Sequence, residues 1–149
     1  MREQDTSSSD LPTWQAETNG VRISVTPQYL PDQSSPEVPR HVWAYHVEIA
    51  NTGDQTVQLL ERTWEIIDAT GRIERVNGPG VVGQTPVLQP GQAFSYTSGA
   101  PLATESGFMS GHYGMIIVPS DTADEPTRFD AQIPAFSLDM PQGSGAVLH

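Results

Sequence analysis

Cysteine is absent from this 149-residue chain. That excludes disulfides, thiolate nucleophiles and every Cys-ligated zinc or iron site, and it fits a reducing cytoplasm. Cationic residues are scarce: 7 Lys and Arg stand against 18 Asp and Glu, a formal charge of −11. Nucleic-acid affinity comes mainly from cations that neutralise phosphates, so a phosphate-backbone partner is not expected. Long apolar runs are missing as well. Nothing approaches the roughly 20 residues needed to cross a bilayer, and Met1-Arg2-Glu3-Gln4-Asp5 lacks an apolar signal core. The chain is expected to be soluble, unexported and cytoplasmic, without membrane insertion.

Helical periodicity is the next absence, and what the chain has instead is alternation. Residues 1–19, polar apart from Leu11, Trp14 and Ala16, read as a disordered arm. Val21-Arg22-Ile23-Ser24-Val25 alternates at period two, as a half-buried strand does. Pro31, Pro36 and Pro39 mark an extended loop. Trp43, Tyr45, Val47 and Ile49 share one face of a central strand that ends at the turn Asn51-Thr52-Gly53-Asp54. In the following run the apolar face switches between Leu59 and Leu60, which predicts a β-bulge and leaves Arg62 beside Trp64 on the core parity, with Glu48 or Asp68 as its expected partner. Asp68-Ala69-Thr70-Gly71 is a turn, Phe94-Tyr96-Ser98 a further strand, and Met115–Val118 a strand covered on both faces. Phe129 to Ala135, interrupted by Pro134, reads as an edge strand, and 142–149 as a loose tail. Seven or eight short strands with a turn about every ten residues make an all-β fold, an antiparallel β-sandwich, within one domain over 20–141.

The stretch from Asn77 to Gly99 carries the most distinctive residues. Gly78, Gly80 and Gly83 have the spacing G-x-G-x-x-G, which in a dinucleotide-binding protein cradles a pyrophosphate at the N-terminus of a helix. Here Pro86 and Pro90 follow, and no helix runs through them at ordinary cost. A helix-free alternative is a nest of backbone N–H groups at Gly78, Gly80 and Gly83, with Arg75 or Arg72 supplying charge. The bland alternative is that glycines between two strands simply serve the reversal of the chain.

Gly80-Val81-Val82-Gly83, Leu88-Gln89-Pro90-Gly91, Tyr96-Thr97-Ser98-Gly99 and Gly107-Phe108-Met109 through Gly111-His112-Tyr113 together resemble the bacterial ApaG family over about residues 20 to 141. The chain departs from the family's usual pattern at Thr63, where His normally precedes the Trp, and at Gln84-Thr85, where an acidic residue and Gln are usual. The resemblance implies an immunoglobulin-like sandwich of fibronectin type III character. It also implies links to cobalt resistance and magnesium efflux, and a partner-binding role.

Catalytic chemistry finds little footing. His41 and His46 differ in parity and point to opposite sheet faces, His112 lies beside Tyr113, and His149 sits in the tail, so no protein-built metal site is expected. A weak divalent cation on Asp121, Asp124 and Glu125 is the nearest approach to a cofactor. There is no G-x-S-x-G elbow, and Glu61 and Glu65, two pleats apart, serve either as a proton-sharing pair or as the wet side of a sheet. Trp64 is expected as the packing tryptophan of the core, while Tyr113, Phe108 and His112 form a candidate groove. These residues point to a non-catalytic binding module that meets a protein partner, or a second copy of itself, through a sheet edge. The rival reading is nucleotide or pyrophosphate binding or processing through Gly78, Gly80 and Gly83.

Overall fold

The computed structural model describes residues 11–141 apart from 36, 38 and 122. Among these residues there are nine strands: β1 Trp14–Thr18, β2 Val21–Tyr29, β3 His41–Asn51, β4 Val57–Asp68, β5 Ile73–Pro79, β6 Val87–Leu88, β7 Ala93–Leu102, β8 Ser106–Ile117 and β9 Thr127–Asp139. One sheet has the order β1-β2-β3-β7. The other runs β5-β4-β8-β9, with β6 also paired to β4, and all pairings are antiparallel. The two sheets form the expected sandwich.

Alternation places the core. Val21, Ile23 and Val25 of β2, and Trp43, Tyr45, Val47 and Ile49 of β3, point inward and are buried. Trp64 is the packing tryptophan: its ring lies 5.3 Å from Tyr45 of the facing sheet, 6.4 Å from Tyr113 and 6.1 Å from Phe136. The bulge falls where the face switches, with the β4–β8 register shifting between Leu59 and Glu61. Pro134 sits in a second irregularity, where Ile133 pairs with Gly111 and Phe136 with Met109, on the edge strand β9.

Four expectations change. The disordered arm proposed for residues 1–19 is corrected over Trp14–Thr18. These residues form β1, because Trp14 packs 6.3 Å from Phe136 and Thr18 Oγ1 accepts from the backbone N–H of Gln132 at 3.2 Å. Residues 1–10 and the tail 142–149 lie outside the described residues. Pro31–Gln33 form a 3-10 turn rather than an extended segment. Strand β8 starts nine residues before Met115 and passes through Gly107, Gly111 and Gly114, and beyond the buried Met115 its Ile116 and Ile117 are only half-buried. Its glycines are close-approach positions: a Cβ at Gly111 would overlap the Thr63 carbonyl oxygen on β4. Two short strands, β1 and β6, exceed the expected seven or eight.

The sandwich is closed on one flank and open on the other. β1 and β2 pack against β9, whereas β5 and β7 are the outermost strands of the opposite flank. There a crevice lies between Ile66, Asp68, Arg72 and Glu74 of one sheet and Pro101 and Leu102 of the other.

Candidate functional site

The glycine stretch lies on the edge of the second sheet. β5 pairs with Glu61–Ile67 and β6 with Val57 and Gln58, both on the same side of β4. Residues 80–86 therefore link two pieces of one edge at the level of the Leu60 bulge. The Gly80 amide donates to Leu60 O at 2.8 Å, Val81 and Gln84 exchange amide-to-carbonyl bonds of 2.9 and 2.8 Å, and Leu59 N donates to Pro86 O at 3.0 Å. Positive φ at Val82 (43°) and Gly83 (79°) reverses the chain between the Val81–Gln84 pair, as both central residues of a type I′ turn do. Gly80 is positive as well (61°), and a Cβ there would overlap the Gln84 carbonyl oxygen. Val81 anchors the turn in the core at 0% exposure, while Val82 at its tip is 56% exposed. No helix opens after Gly83; the chain continues into β6.

The cation at this loop belongs to Arg62. Its guanidinium lies over Gly78, and Nη1 donates to the carbonyls of Pro79 at 3.0 Å and Gly80 at 2.9 Å. The loop thus turns carbonyl oxygens toward a positive charge, while the amides of Gly80, Val81 and Gln84 are engaged by backbone carbonyls. An anion nest needs the reverse polarity. Neither Glu48 nor Asp68 partners Arg62: Glu48 lies on the outward parity of β3, and Asp68 holds its own turn through Thr70 and the Arg72 amide. Those bonds, led by the Thr70 hydroxyl, pull the Asp68 carboxyl below the ordinary range.

Arg75 is not gathered at the loop. Its Nε lies 2.8 Å from Glu65 Oε2 on the outer face, and Arg128 Nη2 lies 2.7 Å from Glu61 Oε2. Glu61 and Glu65 therefore each hold a separate arginine instead of sharing a proton. Beside the loop, Leu60, Glu61, Asn77, Gly78, Pro79 and Arg128 line a shallow crevice of about 490 Å³.

The candidate groove of Tyr113, Phe108 and His112 is not formed. Consecutive strand residues face opposite sides, so His112 points outward, 3.9 Å from Asp130, while Tyr113 is fully buried. Phe108 is 59% exposed on the outer face, in register with Ile67, which in turn pairs with Ile73. The sequence did not signal what Tyr113 does instead: its hydroxyl meets that of Tyr96 at 2.5 Å inside the core. Burial pushes both phenols well above the ordinary tyrosine range, and Tyr45 upward too.

His41 is buried, with Nδ1 3.2 Å from the Tyr29 hydroxyl, and His46 is exposed, with Nδ1 2.9 Å from Thr97 Oγ1. His112 belongs to the other sheet. Asp124 and Glu125 share a crevice of about 460 Å³ with Asp54, and Asp121 caps the Ala123 amide. Among the described residues no three His, Asp or Glu side chains converge as metal ligands.

Comparison with known proteins places this geometry. The ApaG domain family model matches residues 31–117. The chain is 55% identical to Protein ApaG of Rhodospirillum centenum over 126 residues, covering 85% of this chain and 92% of that protein. It is 56% identical to Protein ApaG of Maricaulis maris over 128 residues, covering 86% and 94%. A crystal structure of a Bordetella pertussis protein described as ApaA superposes with a TM-score of 0.76 at 43% identity, over 82% of this chain and 94% of that one. The C-terminal domain of Wzt, 10% identical with a TM-score of 0.50 over 87% of this chain and 78% of its own, shares the fold alone. The chain belongs to the ApaG family.

Proposed function

We propose that this chain is a non-catalytic binding module of the ApaG type, acting in the cytoplasm by holding a protein partner or a second copy of itself. The observation that carries this reading is the polarity of the glycine loop. The amides of Gly80, Val81 and Gln84 are bonded to the Leu60, Gln84 and Val81 carbonyls, and the nearby guanidinium is held by the Pro79 and Gly80 carbonyls, so the loop's own cation is already committed to oxygens of the loop. The resemblance to ApaG links the module to cobalt resistance and magnesium efflux. In this reading its contribution runs through a protein contact and not through a cation held by the chain itself.

The rival is nucleotide binding at the crevice beside Gly78 and Pro79. Calorimetric titration with ATP and with diadenosine tetraphosphate, each with and without magnesium, separates the two. The module reading expects no saturable heat; micromolar binding abolished by Gly80→Val, in a variant shown to be folded, would replace it. Titration with cobalt, read as a shift in melting temperature, tests direct cation binding in the same way.

A further inference from the structure

We infer that two copies of this chain associate through β7, Ala93–Leu102, paired antiparallel about a two-fold axis so that their four-stranded sheets join into one. This rests on the binding-module reading and specifies its edge and its occupant.

The other lateral edges are blocked. β1 is five residues long and packs on β9, and β9 carries Pro134 at its irregularity. β5 presents Glu74 and Arg75, then breaks at a loop with positive φ at Gly80, Val82 and Gly83, and β6 has two residues. β7 differs on each count. It runs for ten residues, among the described residues it pairs with β3 alone, and it contains no Asp, Glu, Arg, Lys or His. Natural edges are blunted by lysine, proline or bulges. This chain has no lysine at all, and from Ala93 to Ala100 β7 has neither proline nor a register shift.

Backbone self-complementarity favours a second copy as the occupant, and the lack of charge on β7 permits it. Two molecules of net charge −11 repel over most of their surfaces, and an uncharged strand is a line along which they can meet without opposing carboxylates. A strand paired antiparallel with itself makes an isologous contact in which each unpaired N–H and C=O finds its counterpart. The same flank carries three of the most exposed large apolar side chains, Ile73, Val82 and Val87, on the β5–loop–β6 edge. Phe94 of β7 and Val76 of β5 are half-buried against the core.

Sedimentation velocity on the full chain, from micromolar to submillimolar concentration, should show a reversible monomer–dimer equilibrium. Thr97→Glu puts a carboxylate on the paired strand and should raise the dimer dissociation constant by about tenfold or more. Thr97→Ser keeps the hydroxyl that meets His46 and should leave that constant unchanged; melting curves confirm that both variants fold. Because the chain lacks cysteine, a spin label at Ser95→Cys reports the contact directly, with short-range dipolar coupling strong enough to broaden the continuous-wave spectrum expected there and not for a label at Glu17→Cys, which the joined sheet holds about seven strand spacings from its mate. A monomer at every concentration overturns the proposal, as does a dimer indifferent to Thr97→Glu or broadened in this way at Glu17→Cys. Any of these leaves the nucleotide titration to decide the module reading separately.

Discussion

The phenol oxygens of Tyr96 and Tyr113, from strands of opposite sheets, lie 2.5 Å apart in the core, so the one hydrogen bond between them ties the two layers of the sandwich together. Tyr113→Phe leaves the Tyr96 hydroxyl buried without that partner and should cost about 1–3 kcal/mol in chemical denaturation. Tyr96→Phe should cost a similar amount, and the double variant clearly less than the sum, because only the first deletion orphans a group.

The same pair, together with buried Tyr45, lowers stability at alkaline pH. Burial raises both phenol pKa values in the folded state, so the native chain keeps protons that the unfolded chain loses above about pH 10. The stabilisation is therefore fully present below the unfolded value and is lost as pH rises beyond it. Unfolding free energy should fall by about 1.4 kcal/mol per pH unit for each such tyrosine above that point. The slope should be shallower in Tyr96→Phe, measured by denaturant titration at successive pH values.

Arg62 holds two carbonyls, whereas Arg75 and Arg128 hold the carboxylates of half-buried Glu65 and exposed Glu61. Arg62→Met should cost about 1–2 kcal/mol and speed amide exchange at Gly80, with little dependence on salt. Glu65→Gln and Glu61→Gln should each cost under about 1 kcal/mol, an effect that disappears at high ionic strength. A large, salt-sensitive loss at Glu61 or Glu65 would contradict this division of roles.

Val82 is a β-branched residue at φ 43°, exposed at the tip of its turn. Side chains with a Cβ meet the following carbonyl in that region at a cost of about 1–2 kcal/mol, which asparagine tolerates best after glycine. Val82→Asn, placed before Gly83, should therefore raise stability by about 1 kcal/mol, read as a higher denaturation midpoint with an unchanged slope. Gly80→Ala should do the opposite, because its Cβ meets the Gln84 carbonyl.

Alternation made most of this fold legible. Val21 to Val25, Trp43 to Ile49 and the face switch at Leu60 each announce a strand or a bulge through side-chain parity alone. Parity failed where glycine carries no side chain to count, so the strand reads as starting only at Met115, nine residues late. The groove of Phe108, His112 and Tyr113 failed because neighbouring residues cannot share a face. Arg62 finds backbone carbonyls as partners, and a sequence shows only candidate side chains. β1 was hidden for a different reason: its polar residues carry no core pattern of their own, and it is recruited by contacts more than a hundred residues away.

That recruitment gives β1 a single apolar anchor. Trp14 is half-buried against Phe136, and beyond it the strand rests on its ladder with β2 and on the Thr18–Gln132 bond. Trp14→Ala should therefore cost about 2 kcal/mol, below the range for a fully buried tryptophan, and should release β1 ahead of the rest of the sandwich. Hydrogen exchange provides the check: amides from Gln15 to Thr18 should lose protection while those of β3 and β8 keep theirs. Loss of protection throughout the core would mean that β1 is part of the cooperative unit and that the arm beginning at Trp14 is no appendage.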